Sequence, residues 1–159
     1  MTQEDKELLL KDLNQRLLYG VKVNYSGKIP MLGEVSNNVG ELTGIMPNLQ
    51  CPFYIHGSCW GFDDIKPFLR PMDSMTEEEK EDFYQNCLDM DVEDIRYEND
   101  GELPLPYNQK DKFIWFESIY IDNVICAMDW LNAHHFDFRG LIERGLALEA
   151  PEGMYNFKD

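Results

Sequence analysis

A chain of 159 residues with 43% hydrophobic and 13% aromatic side chains can build a folded core, so its composition excludes a disordered chain. The formal net charge is −16, and residues 73–102 alone carry 13 acidic and two basic side chains. Because nucleic-acid binding requires lysine and arginine to neutralise phosphates, this charge balance argues against direct DNA or RNA binding.

The N-terminus and the cysteines indicate the compartment. The first residues are acidic and polar, so we expect no signal peptide. No apolar stretch approaches the roughly 18 residues that a membrane span needs, so we expect no membrane association. The cysteines are too sparse and scattered for a secreted disulfide framework. We therefore predict a cytoplasmic protein whose thiols are free and mostly buried: Cys51, Cys59, Cys87 and Cys126.

The first helix is predicted over residues 3–18. Thr2, with Asp5 three residues later, is a capping-box pattern, and leucines recur at helical spacing along the segment. Gly20 stands where a glycine commonly ends a helix. The sequence therefore predicts a helix with one apolar face at the start of the chain.

Alternating apolar residues after this helix predict short strands joined by tight turns. The predicted strands cover residues 21–25, 29–35, 39–45 and 53–56. The first two turns are predicted at Ser26-Gly27 and at Asn37-Asn38, because these residue pairs favour turns. Short strands in this order are typical of an antiparallel meander or a small, SH3-like barrel.

The chain after these strands is predicted to be mainly helical. Residues 63–71 are predicted to be a connector, because Pro67 and a second proline prevent a continuous helix. Thr76 and Glu79 form another capping-box pattern. They predict a helix over residues 77–89.

A long acidic loop is predicted over residues 89–107, since prolines and an Asn-Asp-Gly turn interrupt this segment. The i, i+3, i+4 spacing of apolar residues then predicts a helix over residues 117–135. Its predicted buried face contains Ile121, Val124, Ile125, Met128, Leu131 and His135. The residues from Pro151 onward are predicted to be a tail.

Together these elements predict one α+β domain over residues 1–159. The chain length suits one domain, because single cores typically serve about 100–200 residues. The N-terminal helix precedes a strand-rich part at residues 21–62, and a helical part follows at residues 74–145.

One acidic cluster resembles a calcium-binding loop. Asp89, Asp91 and Glu93 alternate like the first ligands of an EF-hand, but Asp94 occupies the position of its glycine and Asp100 that of its final glutamate. We therefore favour a solvated acidic loop, with weak binding of a divalent cation as the alternative.

A second cluster contains zinc-ligand types. Cys51, His56 and Cys59 fall within nine residues of one another. A structural zinc site needs four ligands, usually in two short-spaced pairs, and the second pair is missing here. Core or pocket-lining cysteines are therefore favoured, and no metal is predicted.

Candidates for acid–base chemistry lie near the end of the last predicted helix. Asp137 next to His134 and His135 could tune an imidazole toward neutral pH. The alternative, which we favour, is that the histidines end the helix and interact with its last carbonyls. The sequence has no Gly-x-Ser-x-Gly motif, no Gly-rich phosphate loop and no dinucleotide-binding motif. We therefore predict no catalytic residue and no cofactor.

The strand-rich part contains an aromatic group, Tyr54, Trp60 and Phe62. Exposed at the mouth of a small barrel, these rings would form a binding surface. Burial in the core is the alternative and is the usual location of large rings.

Three parts of the sequence carry a resemblance to other proteins. They are residues 4–13 with 19–21, residues 65–71 with 74–79, and residues 130–143 with 146–151. Together they resemble a family of small, uncharacterised acidic proteins encoded by gut Bacteroides and by their phages and mobile elements. The resemblance implies an accessory protein of a phage or mobile element, and it assigns no activity or catalytic residue.

The leading hypothesis is a non-enzymatic protein that binds a protein partner with a basic surface. One version is a nucleic-acid mimic, and a purely solubilising role of the acids is the alternative. The candidate binding residues are Tyr54, Trp60, Phe62, Glu77, Glu78, Asp91, Glu93 and Asp94. The rival hypothesis is an enzyme or small-ligand-binding protein with a pocket between the sheet and the C-terminal helix. Its candidate residues are His56, Cys59, His134 and His135.

Overall fold

The computed structural model describes residues 1–29, 33–108, 112–113 and 120–155. The described helices are α1 (Gln3–Arg16), α2 (Glu77–Asp82), α3 (Val92–Glu98) and α4 (Ile121–Ala133). The described strands are β1 (Lys22–Ile29), β2 (Gly33–Glu41), β3 (Gly44–Ile45), β4 (Phe53–Ile55), β5 (Ser58–Trp60), β6 (Ile65–Leu69), β7 (Tyr107–Asn108), β8 (Lys112–Phe113) and β9 (Leu148–Glu149). The predicted α+β class is confirmed, because an N-terminal helix precedes antiparallel sheets and a helical C-terminal part.

The chain forms two compact units. Met1–Leu69 together with Leu141–Asp159 form unit 1, and Arg70–Gly140 form unit 2. Unit 1 contains α1, a four-stranded sheet in the order β2-β1-β6-β9 and a three-stranded meander, β3-β4-β5. Unit 2 contains α2, α3, α4 and the two-stranded sheet β7-β8. That the chain is one domain stays a prediction.

Helix α1 begins and ends as its sequence predicts. The Thr2 hydroxyl accepts a hydrogen bond from the Asp5 N–H, and the Asp5 carboxylate accepts one from the Thr2 N–H. A 3₁₀ turn, Leu17–Tyr19, follows the helix, and Gly20 ends it with φ of 67°. Glycine is favoured there because a Cβ makes the left-handed conformation costly.

Both predicted turns of the first hairpin are wrong, because they lie inside strands. Ser26 and Gly27 belong to β1, whose register with β2 shifts between Tyr25 and Gly27. The N–H of Asn37 donates to the Ser26 hydroxyl at 2.9 Å, and Asn37 has φ of 51°. A bulge absorbs the turn-forming residues, so the strands continue through them.

The predicted bounds of the next strands are also wrong. The strand predicted at 29–35 begins as β2 at Gly33, while residues 30–32 lie outside the described residues. The strand predicted at 39–45 is divided in the structure: its first residues end β2, and its last two form the separate strand β3. Leu42 interrupts it, because its side chain enters the core and its N–H donates to the Val21 carbonyl at 3.0 Å. The strand predicted at 53–56 is confirmed as β4.

The predicted connector at 63–71 is wrong, since most of it forms β6. Ile65–Pro67 pair with β1, whereas Phe68 and Leu69 pair with β9 in parallel. Pro67, which lacks an N–H, lies at the boundary between the two ladders, where its loss of a donor costs least. The buried side chains at the centre of unit 1 are Leu9, Leu13, Val21, Val23, Leu42, Phe53, Ile55, Trp60, Ile65, Leu69, Leu141, Leu146 and Ala147.

Gly40 of β2 allows the meander to approach the large sheet closely. A Cβ at this position would lie 2.7 Å from Ile55 Cγ2 and 2.8 Å from His56 Nε2. We therefore expect Gly40→Ala to lower the free energy of unfolding by about 1–3 kcal/mol through overpacking, measured by urea denaturation. Gly44→Ala is the matched control, because its Cβ would meet only Tyr54 Cβ at 3.6 Å. Equal stability of the two variants would contradict this packing.

The predicted tail beyond Pro151 is wrong for residues 151–155, because Tyr155 packs against β1 and β6 within unit 1. Its hydroxyl accepts from the Lys22 N–H at 3.0 Å and donates to the Phe68 carbonyl at 2.8 Å. The Lys22 ammonium also donates to the Met154 carbonyl at 2.8 Å. Burial raises the pKa of Tyr155 to about 12, although the Lys22 hydrogen bond opposes the shift.

The predicted acidic loop at 89–107 is wrong in its centre, which forms α3. Asp91 caps this helix by accepting a hydrogen bond from the Glu93 N–H at 2.9 Å. Val92 and Ile95, three residues apart, are buried and anchor the helix in the core of unit 2. The backbone turns sharply on either side, with φ of 55° at Asp89 and at Asp100.

The helix predicted over 77–89 is confirmed in extent as α2 followed by a π-helical segment, Phe83–Cys87. The helix predicted over 117–135 is α4, and residues 114–119 lie outside the described residues. Its predicted buried face is wrong at the N-terminal end, where Ile121 and Ile125 are 76% and 56% exposed. The core of unit 2 contains Met75, Phe83, Tyr84, Cys87, Leu88, Val92, Ile95, Leu103, Ala127, Leu131, Phe136 and Phe138.

Candidate functional site

The start of α2 is held by Glu79. Its carboxylate accepts from the Thr76 N–H at 2.9 Å and, through both oxygens, from the Arg70 guanidinium at 2.6 and 2.9 Å. Burial raises the pKa of Glu79, but the hydrogen bonds from Arg70 and Thr76 outweigh it and hold the pKa below its usual value. Glu79 is therefore ionised at neutral pH and neutralised by Arg70.

Both basic side chains of residues 73–102 form ion pairs with acids of the same stretch. The Lys80 ammonium lies 2.6 Å from a Glu77 oxygen and also donates to the Leu103 carbonyl at 3.0 Å. The Arg96 guanidinium pairs with Glu81, at the end of α2, and with Glu93 at 3.4 Å. The Arg96–Glu81 pair places α3 beside α2, so the two helices share one surface.

Eleven of the 13 acidic side chains of this stretch are exposed. We call the exposed carboxylates of residues 73–102 the acidic surface. Its members are Asp73, Glu77, Glu78, Asp82, Asp89, Asp91, Glu93, Asp94, Glu98, Asp100 and Glu102. The five acids predicted as binding residues, Glu77, Glu78, Asp91, Glu93 and Asp94, all belong to it. Carboxylates outnumber cations strongly here, so the surface carries a negative field that attracts cationic groups.

Tyr97 lies within the acidic surface and is 90% exposed. Glu93 and Asp94 precede it by four and three residues on α3, so their side chains share its face of the helix. Glu98 follows it directly. A fully exposed ring among carboxylates can contact a cation with its face while the acids neutralise the charge.

Sequence analysis missed Tyr97 because it placed residues 89–107 in a loop. The signal was present in the Asp91 cap followed by Val92 and Ile95 at helical spacing. Once those apolar residues define the buried face, Tyr97 falls on the opposite, solvent-facing side.

The predicted aromatic binding rim is wrong for Trp60, which is only 3% exposed and belongs to the core of unit 1. Its ring packs on Tyr25 with centroids 4.8 Å apart. Phe62 is half-buried and makes an edge-to-face contact with Phe53 at 5.1 Å. Tyr54 is half-buried on β4. The rings thus mainly hold the meander together.

The four residues singled out for a catalytic or ligand site fall in different units. His56 and Cys59 are exposed on the β4–β5 hairpin of unit 1. His134 and His135 follow α4 in unit 2, and His135 is buried. The pocket predicted between the sheet and the C-terminal helix stays a prediction.

His134 has the geometry of a helix C-terminal residue. Its Nδ1–H donates to the Trp130 carbonyl at 2.9 Å, and its ring stacks on the Trp130 ring with centroids 3.7 Å apart. Burial lowers the pKa of His134, while the hydrogen bond to Trp130 and the carboxylates of Glu79 and Asp82 oppose the shift. The imidazole is therefore mainly neutral at neutral pH.

The prediction that the cysteines are mostly buried is wrong. All four are free, but only Cys87 is buried; Cys51 is half-buried, and Cys59 and Cys126 are exposed. Among the described residues, no group of three or more His, Cys, Asp or Glu side chains is arranged to hold a metal ion. Asp91, a candidate calcium ligand, serves instead as the cap of α3.

Comparison of the chain with protein-family models, with curated proteins and with solved structures found no match. The resemblance to proteins of gut Bacteroides and their phages and mobile elements therefore stays a prediction. No helix within the described ranges is long and apolar enough to cross a membrane.

Proposed function

We propose that this chain is a non-enzymatic binding protein that engages a protein partner with a basic surface through its acidic surface. As the resemblance implies, it would act as an accessory protein of a phage or mobile element. The observation that carries the proposal is Tyr97, 90% exposed among carboxylates. The two cations of the same stretch are already engaged in ion pairs.

The charges support a cationic partner. Lys80 and Arg96 already pair with acids of the same stretch. The exposed carboxylates of Glu78, Asp94 and Glu98 are therefore acceptors for a partner's lysines and arginines. Opposite charges on two surfaces accelerate encounter and orient the partner, and salt weakens this attraction.

The exposure of Tyr97 favours a protein partner over a simple counterion as the ligand of this surface. Tyrosine is enriched among the residues that dominate binding energy, because it offers a large rigid area and a polar hydroxyl. Its ring also attracts guanidinium and ammonium groups through its negative face. A solubilising surface needs carboxylates and gains nothing from an exposed ring.

A labelled arginine-rich peptide provides a defined probe, with fluorescence anisotropy as the readout. We expect binding that weakens as salt rises, and the triple variant Glu78→Lys/Asp94→Lys/Glu98→Lys should weaken it about tenfold or more. Tyr97→Ala should weaken it about two- to fivefold.

The matched control is Glu143→Lys/Glu149→Lys/Glu152→Lys, which changes the net charge equally at exposed positions of unit 1. At high salt, where the effect of net charge is screened, this control should change the affinity for the peptide less than about twofold relative to the wild type. Equal weakening by both triple variants, with Tyr97→Ala unchanged, would show that the acids only solubilise the chain.

A further inference from the structure

Two of the four thiols lie close together in unit 2. Cys87, at the end of the π-helical segment, and Cys126, on α4, lie close enough for Cys126 to raise the pKa of the Cys87 thiol. The surrounding contacts fix this approach: Asn123 Nδ2 donates to the Cys87 carbonyl at 3.1 Å, and Cys126 Sγ lies 3.6 Å from the Asn86 carbonyl. The pair therefore joins two elements that are distant in the sequence.

The two thiols differ in access to solvent. Cys126 is exposed, whereas Cys87 is 2% exposed. Burial raises the pKa of Cys87 well above its usual value, and its contacts with Cys126 and the nearby Asp82 carboxylate add to the shift. An accessible thiol beside a protected one is the arrangement in which a second cysteine resolves a mixed disulfide.

We propose that Cys87 and Cys126 are a redox-responsive pair that closes into a disulfide by exchange with a small-molecule disulfide such as oxidised glutathione. In the first step the Cys126 thiolate attacks one sulfur of the oxidant, forms a mixed disulfide and releases one glutathione thiolate. In the second step Cys87 loses its proton to solvent, attacks Cys126 Sγ and releases the second glutathione thiolate. The protein loses two electrons and the oxidant gains them.

Closure would staple the π-helical segment that continues α2 onto α4. The residue before this segment, Asp82 at the end of α2, is already bound to α4, because its carboxylate accepts from Trp130 Nε1 at 2.6 Å. The disulfide would also enclose the chain from residue 87 to residue 126, which includes α3 and Tyr97. Oxidation would thereby stabilise the helices that carry the acidic surface.

Peptide mapping of the intact chain after incubation with excess oxidised glutathione tests the pair directly. Trypsin releases Cys87 in residues 81–96 and Cys126 in residues 113–139, while Cys51 and Cys59 stay together in residues 29–80. We expect the first two peptides linked by a disulfide. A lasting glutathione adduct on Cys126, a covalent dimer through Cys126, or two free thiols would each overturn the proposal.

Variants provide the second readout. Cys51→Ser/Cys59→Ser should still close the pair, whose formation should raise the midpoint of thermal unfolding by roughly 10 °C and be reversed by dithiothreitol. In Cys126→Ser, alkylation of Cys87 should be at least tenfold slower than alkylation of Cys126 in Cys87→Ser. The rate of closure should rise with pH, because Cys87 must lose its proton to resolve the mixed disulfide. Equal alkylation rates in the two single variants would contradict the assigned roles.

Discussion

Replacing Asp12 by alanine is expected to lower the free energy of unfolding by about 3–5 kcal/mol, because it leaves the charge of Arg16 buried without its carboxylate. Both side chains are 0% exposed on α1 of unit 1. Arg16 Nε and Nη2 donate to the two Asp12 oxygens at 2.7 and 3.0 Å. A bidentate pair of this kind offsets the desolvation of its two charges only while both partners are present.

Urea denaturation followed by circular dichroism measures this loss, and amide hydrogen exchange in β1 assigns it to unit 1. The double variant Asp12→Leu/Arg16→Met should recover much of the stability, because it removes both charges and keeps apolar volume in the core. Arg144→Ala is the matched surface control. Arg144 pairs with Glu4 and Asp5 near the start of the same helix but lies in solvent, so its loss should be much smaller.

Two outcomes would contradict the role assigned to the Asp12–Arg16 pair. One is an equal effect of Asp12→Ala and Arg144→Ala. The other is a double variant that is no more stable than Asp12→Ala, since uncompensated burial of Arg16 could then not be the cause.

The parts of the fold that sequence analysis predicted are those encoded by local hydrogen bonds. Thr2 and Thr76 each begin a helix because the capping box involves residues only three positions apart. Gly20 ends the first helix for an equally local reason, a left-handed backbone conformation.

The parts that it missed depend on contacts between distant residues. Pro67 argues against a strand, yet β6 forms because it pairs with β1 on one side and β9 on the other. Ser26-Gly27 favour a turn, yet a bulge in β2 at residues 36–37, opposite Ser26, keeps them in β1. Such pairings outweigh the local preference, and a single sequence does not reveal them.

For the candidate site, the acids could be predicted as exposed residues because charged side chains are rarely buried alone. The position of Tyr97 could not, because it depends on α3, which residues 92–98 form only when Val92 and Ile95 pack into unit 2. Likewise, the pairing of Cys87 with Cys126 requires the packing of α4 against the π-helical segment. Composition therefore indicates the charge of the surface, whereas the position of its exposed tyrosine can be known only from the fold.

Replacing Phe136 by alanine is expected to lower the free energy of unfolding by about 3–5 kcal/mol, because a buried ring is lost and a cavity remains. Phe136 is 0% exposed in the core of unit 2. Its ring stacks on Trp130 with centroids 5.8 Å apart, and the Arg70 guanidinium lies 4.2 Å from its centroid. The ring therefore supports both the end of α4 and the side chain that neutralises Glu79.

The effect should reach the acidic surface through Arg70. The backbone holds Arg70 in place, since its N–H donates to the His135 carbonyl and its carbonyl accepts from the Asp137 N–H, both at 2.8 Å. The ring of Phe136 covers the guanidinium that Glu79 binds at the start of α2. Without the ring, the guanidinium gains freedom and the bidentate pair weakens, so amide hydrogen exchange in α2 should accelerate.

Phe136→Leu separates packing volume from the aromatic contacts. Leucine fills most of the space, so its stability loss should be about 1–1.5 kcal/mol, but it cannot stack on Trp130 or present a ring to Arg70. Faster exchange in α2 should therefore persist in Phe136→Leu despite its smaller loss of stability. If Phe136→Leu matched the wild type in α2 exchange while Phe136→Ala did not, the cavity alone would account for the loosening. Arg70 would then need no aromatic support to hold Glu79.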